Sequence, residues 1–122
     1  MKDLPVCITD REMAFNQDVK ALVPNVNVDA SFLAYQLLAN KREILNLVDT
    51  AGHGTGRLDT DLLKAYPMVL PPLAEQLGIV SVLSTWDHAI FITERLLANT
   101  RAEKNGLMAQ LLSGKRRVRP RH

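Results

Sequence analysis

From Ile79 to Leu111 the chain keeps a strict rhythm. Ile79, Leu83, Trp86, Ile90, Thr93, Leu97, Thr100, Lys104, Leu107 and Leu111 are separated alternately by four and three residues. That alternation is the seam of a coiled coil, in which a left-handed supercoil keeps one stripe of each helix against its partner. Pro71-Pro72 stands before the stretch, Ser113-Gly114 closes it, and no proline interrupts it. The pattern predicts one helix over 71–114, on the order of 60 Å long at 1.5 Å per residue. A lone rod of that length cannot bury its own stripe and needs a second helix, from this chain or another. Thr93, Thr100 and Lys104 make the second half of the stripe partly polar, a feature that costs stability and fixes register. Val80, Val82, Ala89, Phe91, Leu96 and Met108 widen the apolar surface, and Gly106 weakens or bends the helix.

The earlier part of the chain carries shorter signals. Val6-Cys7-Ile8-Thr9 reads as a strand and Asp10-Arg11-Glu12 as a turn. Ala14 to Val19, followed by Ala21-Leu22-Val23, reads as a second extended segment stopped by Pro24-Asn25. Asp29 stands at an N-cap position. Phe32, Leu33, Gln36, Leu37, Ile44, Leu45 and Val48 then predict a helix over 30–48, bent near Asn40, with one face on a sheet. Asp59 or Thr60 caps a short helix over 61–64. Tyr66 to Leu70 reads as an edge strand because Pro67 cannot donate to a ladder. The expected architecture is α/β (α+β): a partial α/β domain over 1–70, a coiled-coil-forming helix over 71–114 and a basic tail over 115–122.

Composition adds few constraints. The chain has 122 residues, 47% hydrophobic but only 5% aromatic, so the core is expected to be aliphatic. Its formal net charge is +2, unevenly spread: Lys115, Arg116, Arg117, Arg119 and Arg121 crowd the last eight residues. Such a block is either a solvated tail or an attractor for nucleic acid. The single cysteine, Cys7, rules out an internal disulfide and fits a reducing compartment. No apolar run is long enough to span a membrane and no signal peptide is evident. A cytoplasmic protein without membrane contact is expected.

Reactive groups do not converge. His53, His88 and His122 are far apart and lack zinc-ligand spacing. Asp87 and His88 point in different directions on a helix. Asp59 and Asp61 are explained by capping, and no basic cluster adjoins Cys7 to activate it. A non-catalytic chain without metal or cofactor is expected. The loop Thr50 to Thr60 holds three glycines within five positions. It matches neither a Walker loop nor a dinucleotide fingerprint. It is either a plain turn or a loop presenting backbone N–H groups and Arg57 to a phosphate. Asn16 and Gln17 each offer an amide that can read an adenine edge, although on a strand they face opposite ways.

Taken in order, several motifs resemble one family. They are Ala14-Phe15-Asn16-Gln17; Phe32-Leu33-Ala34-Tyr35-Gln36-Leu37-Leu38; Ala51-Gly52-His53-Gly54-Thr55; Leu70-Pro71-Pro72-Leu73-Ala74-Glu75-Gln76; and the ending Lys104 to Val118. Together they resemble the C-terminal part of the DNA specificity subunit of type I restriction-modification systems. The resemblance implies a non-catalytic subunit whose two target-recognition domains each read half of a split DNA site. It implies long helices that pack antiparallel, space those domains and dock methyltransferase subunits, with the restriction subunit engaged indirectly. The chain looks like the remainder of a second recognition domain plus its distal helix, with the early strands absent. The resemblance places Asn16 and Gln17 in a recognition motif and His53, Thr55 and Arg57 in a loop near that domain's end. Arg57 and Lys41 or Arg42 are then the expected phosphate contacts. Ile79, Leu83, Trp86, Ile90, Leu97, Leu107 and Leu111 are the expected pairing positions, with homodimerisation through the long helix. The alternative is a dimerisation module without independent DNA recognition.

Overall fold

The computed structural model describes residues 4–50 and 58–119. Four helices follow in order: α1 (Ala30–Ala39), α2 (Lys41–Thr50), α3 (Thr60–Ala65) and α4 (Leu73–Leu112). The chain divides into two units, Met1–Ser81 and Val82–His122. Among the described residues there is no β-strand. The α/β expectation is therefore corrected: this fold is helical.

The physical reason lies in the segments themselves. A strand is stable only when its N–H and C=O groups meet a neighbour, and two short segments are marginal even when paired. Residues 4–28 make local turns instead. Val19 N–H donates to the Asn16 carbonyl at 3.2 Å, and Val28 N–H to that of Asn25 at 2.9 Å. Ile8, Phe15, Val19, Leu22 and Val23, most of the apolar content of the expected strands, are exposed, and Val6 is half-buried. Tyr66 to Leu70 is not a strand either. Its Val69 carbonyl accepts from the Gln36 side-chain amide at 3.3 Å, a side-chain tie where a ladder was expected. With no sheet among the described residues, α1 and α2 contact each other instead.

The first unit is built by caps. Asp29, in extended conformation, accepts from Phe32 N–H at 2.9 Å and starts α1. Asn40 ends it. Its side-chain nitrogen donates to the Gln36 carbonyl at 2.8 Å, while its own carbonyl accepts from Ile44 N–H at 3.0 Å in α2. Asn40 thus converts the expected single helix into two with a break at the expected place. Asp59 caps α3 through Asp61 N–H at 2.7 Å and Leu62 N–H at 3.2 Å. Among the described residues the buried apolar core is Phe32, Leu37 and Ile44. Each contributes about 1.5–3 kcal/mol.

One polar side chain joins them inside. Gln76, in the first turns of α4, is 0% exposed. Its amide nitrogen donates to the carbonyls of Asn27, at 2.9 Å, and Pro71, at 2.8 Å. Its amide oxygen accepts from Asp29 N–H at 2.9 Å. The orientation of the amide follows from chemistry, because two carbonyls can only accept and a backbone N–H can only donate. Gln76 thereby ties the entry of α1 to the entry of α4. The turn into α4 is made by Pro72, whose carbonyl accepts from Glu75 N–H at 2.9 Å and Gln76 N–H at 3.1 Å.

A further tie joins α2 to the end of α3. The Tyr66 hydroxyl donates to the Glu43 carboxylate at 2.6 Å. That hydrogen bond, with burial and the nearby negative charge adding to it, raises the Tyr66 pKa. The second unit holds most of α4, which runs through Gly106 without a break. Gly114, at φ 73°, turns the chain out of the helix.

Two outcomes follow for the first unit. Gln76→Leu keeps the volume and leaves three backbone groups without their partner, at about 1–3 kcal/mol for a buried unpaired group. Urea unfolding of the first unit shifts to lower denaturant, and hydrogen exchange at Asp29 N–H loses protection. An unaltered midpoint with unaltered exchange would show that Gln76 is not a tie. In a Tyr35→Phe background, ultraviolet titration finds Tyr66 ionising above its ordinary value of 10.0, and Glu43→Gln lowers the midpoint. Because the folded pKa is raised, the contribution of this contact is full below the ordinary value. It disappears as pH climbs through the raised one. Identical midpoints in both proteins would dismiss the contact.

Candidate functional site

The residues expected to matter fall into two sets. Those on α4 form a continuous feature. Leu83, Trp86, Ile90, Leu97, Leu107 and Leu111 are all exposed, Trp86 at 67% and Ile90 at 53%; Ile79 is half-buried. Every residue of α4 from Ser81 onward is exposed. Phe91, Leu96 and Met108 broaden the apolar surface, and the Arg95 guanidinium lies 5.8 Å from the Phe91 ring. An apolar surface of this extent is uncommon on a soluble monomer.

The polar members of the stripe are better adapted to burial than their residue type suggests. The Thr93 hydroxyl donates to the Ala89 carbonyl and the Thr100 hydroxyl to that of Leu96, each at 2.8 Å. Both hydroxyls are satisfied within the helix, so covering them leaves no donor unpaired. Lys104 remains the charged position of the stripe.

The second set comprises the expected DNA contacts. Asn16 and Gln17 are exposed. They lie in a turn, not on a strand: Asn16 Oδ1 accepts from Asp18 N–H at 3.1 Å. The Asn16 amide oxygen is thus engaged by its own backbone, while Gln17 stands at the tip. Lys41, half-buried, and Arg42, exposed, open α2 immediately after the Asn40 break. There the negative end of α1 meets the positive end of α2 and the two largely offset. Helix stabilisation therefore gives no account of why two cations stand there. The structure does not bring Asn16 and Gln17 together with Lys41 and Arg42 through any hydrogen bond among the described residues. His53, Thr55 and Arg57, and the glycine-rich loop that carries them, lie outside the described residues.

No group of three or more His, Cys, Asp or Glu side chains is placed to hold a metal among the described residues. Cys7 is exposed. No described helix is long and apolar enough to cross a membrane.

Gln76 is the residue that reading the sequence by its pattern passed over. A signal was available. It precedes Ile79 by three, so it sits one step before the stripe on the same rhythm. A polar amide at that place, four residues after Pro72, is the signal of a buried hydrogen-bonding role.

Comparison with known proteins bears on these features. The model of the type I restriction modification DNA specificity domain family matches residues 5–100. That span includes all of α1, α2 and α3 and α4 as far as Thr100. The type I restriction enzyme EcoR124I/EcoR124II specificity subunit of Escherichia coli is 26% identical over 86 residues. The aligned part is 70% of this chain and 21% of that protein, so the chain spans about a fifth of its relative's length. No solved structure matches. A match over more than three quarters of the residues, running from the turn-rich segment through the caps into the long helix, settles the family: the chain belongs to the type I restriction modification DNA specificity domains.

Proposed function

We propose that the chain serves as part of a DNA-specificity subunit, a non-catalytic component that directs type I methyltransferase subunits, and through them the restriction subunit, to a bipartite DNA site. In this reading residues 1–70 are the end of a target-recognition domain, 71–114 the spacing and pairing helix, and 115–122 a basic tail. Family membership supports the DNA role. The observation that carries the reading is the exposed apolar stripe of α4, from Leu83 to Leu111.

Two such helices gain by facing each other. Burying a leucine or isoleucine contributes about 1.5–3 kcal/mol, and the stripe supplies several. For the isolated chain the available partner is a second copy. A two-fold arrangement then presents two recognition portions related by symmetry, as suits a site in two halves. Asn16, Gln17, Lys41, Arg42, His53, Thr55 and Arg57 are the proposed DNA contacts. The arginines and lysines would set affinity and salt dependence, and the amides would touch base edges.

The second reading is a pairing module without DNA recognition of its own. What favours it is the lack of any sheet among the described residues and the small core of the first unit.

Sedimentation equilibrium at micromolar concentration finds a dimer of the wild-type chain. Leu83→Asp with Ile90→Asp, placing two charges on the stripe, gives a monomer of unchanged helix capping in the first unit. A wild-type monomer, or a variant that still dimerises, would refute pairing through this stripe. Titration with mixed-sequence duplex at low salt separates the two readings, since binding supports the first and its absence, with methyltransferase present, the second.

A further inference from the structure

The charge of this chain is segregated. Residues 1–103 hold nine basic and thirteen acidic side chains, whereas residues 104–122 hold six basic and none acidic. The net positive charge thus comes entirely from the end of α4 and the segment after it. The portion expected to recognise DNA is acidic overall. Phosphate neutralisation by lysine and arginine supplies essentially all of non-specific DNA affinity, and the recognition portion has little of it to offer.

The geometry holds these cations in one place. Gly114, with its positive φ of 73°, donates its N–H to the Leu111 carbonyl at 3.2 Å. Arg116 N–H then donates back to the Gln110 carbonyl at 3.0 Å. The two bonds fold the chain over the last turn of α4, so Lys115, Arg116 and Arg117 are fixed at the helix end, with Arg119 two residues beyond. All four are exposed, and none has an ion pair among the described residues. The negative end of the helix is complemented by one or two nearby cations. Four in five positions exceed that need.

We infer that Lys115, Arg116, Arg117 and Arg119, clamped at the C-terminal end of α4 by the Gly114 turn, form a sequence-independent docking site for the phosphate backbone of duplex DNA. The inference rests on the DNA role proposed above and adds to it the place where the backbone is held. Three of the four are arginines, whose planar guanidinium meets two phosphate oxygens at once. A duplex is favoured over an acidic protein surface because the chain belongs to a family of DNA specificity domains. Its regular phosphates suit a cluster of exposed cations in a stretch, 104–122, that holds no acidic residue. The site attracts any sequence alike, leaving discrimination to the recognition portion.

The test is fluorescence anisotropy of a labelled, mixed-sequence duplex with the full chain, over a range of salt. Each phosphate neutralised adds about 0.9 to the slope of log affinity against log salt. The variant Lys115→Gln, Arg116→Gln, Arg117→Gln, Arg119→Gln is expected to lose about three to four from that slope per chain. At 0.1 M salt it is expected to bind about a hundredfold more weakly or worse, equally for every duplex sequence. Lys41→Gln with Arg42→Gln loses at most about two from the slope. Helix content by circular dichroism stays unchanged in both. An unaltered slope in the quadruple variant overturns the inference, as does a wild-type chain that binds no duplex at low salt. Equal or tighter binding of polyglutamate overturns it in favour of an acidic protein partner. Sedimentation of the same samples keeps the two proposals apart: a monomeric wild type refutes helix pairing alone, and an unaltered slope in a dimeric variant refutes the docking site alone.

Discussion

The first unit depends on one buried amide. Among the described residues the buried apolar side chains are Phe32, Leu37 and Ile44, and that burial is too slight to dictate how α1 and α4 begin beside each other. Gln76 does so through three hydrogen bonds to Asn27, Asp29 and Pro71. A leucine there would bury more apolar surface but would leave two carbonyls and an N–H facing it unpaired. Burial of polar groups is tolerated only when they are bonded, and here every hydrogen-bonding group of the amide has a partner except one oxygen lone pair. The Pro-Pro turn and the Asp29 cap place those partners, so the local chemistry of two helix starts meets in one side chain.

The second unit obeys the opposite logic. None of its described residues is buried, although α4 carries a nearly unbroken apolar stripe. Helices in proteins owe most of their stability to packing of one face. In the function proposed above, a helix that displays Trp86, Ile90 and Leu97 to water is one half of an interface. The hydroxyls of Thr93 and Thr100 are satisfied inside the helix, which prepares even the polar steps of the stripe for cover. Charge is divided too: no acid follows Glu103, and five of the fifteen cations lie past the Gly114 turn.

Much of this was legible in the sequence. Asp29 and Asp59 cap because a short carboxylate before an apolar periodic run has few other uses. The Asn40 break and the limits of α4 followed from asparagine, proline and glycine at the right places. The strands were misread for a definite reason. Val6 to Thr9 and Ala14 to Val23 are short runs whose apolar content fits a strand, but the pattern of one segment cannot report whether a neighbour exists to accept its hydrogen bonds. Asn16 closes its own turn through Oδ1, a local competition that residue type alone leaves open. The resemblance to specificity subunits carried the family correctly and the α/β layout incorrectly, since motif order survives where sheet pairing does not form. The long helix was visible because its signal repeats over many turns, whereas Gln76 is a single residue whose partners lie 47 and 49 positions away.

The central claim is that the stripe of α4 exists to be covered. Trp86, the single tryptophan of the chain, sits on it and reports directly. The decisive measurement is its fluorescence emission and iodide quenching across a dilution series of the wild-type chain. The account predicts a blue-shifted, protected indole at high concentration that becomes red-shifted and quenchable on dilution. An indole equally exposed at every concentration would contradict it.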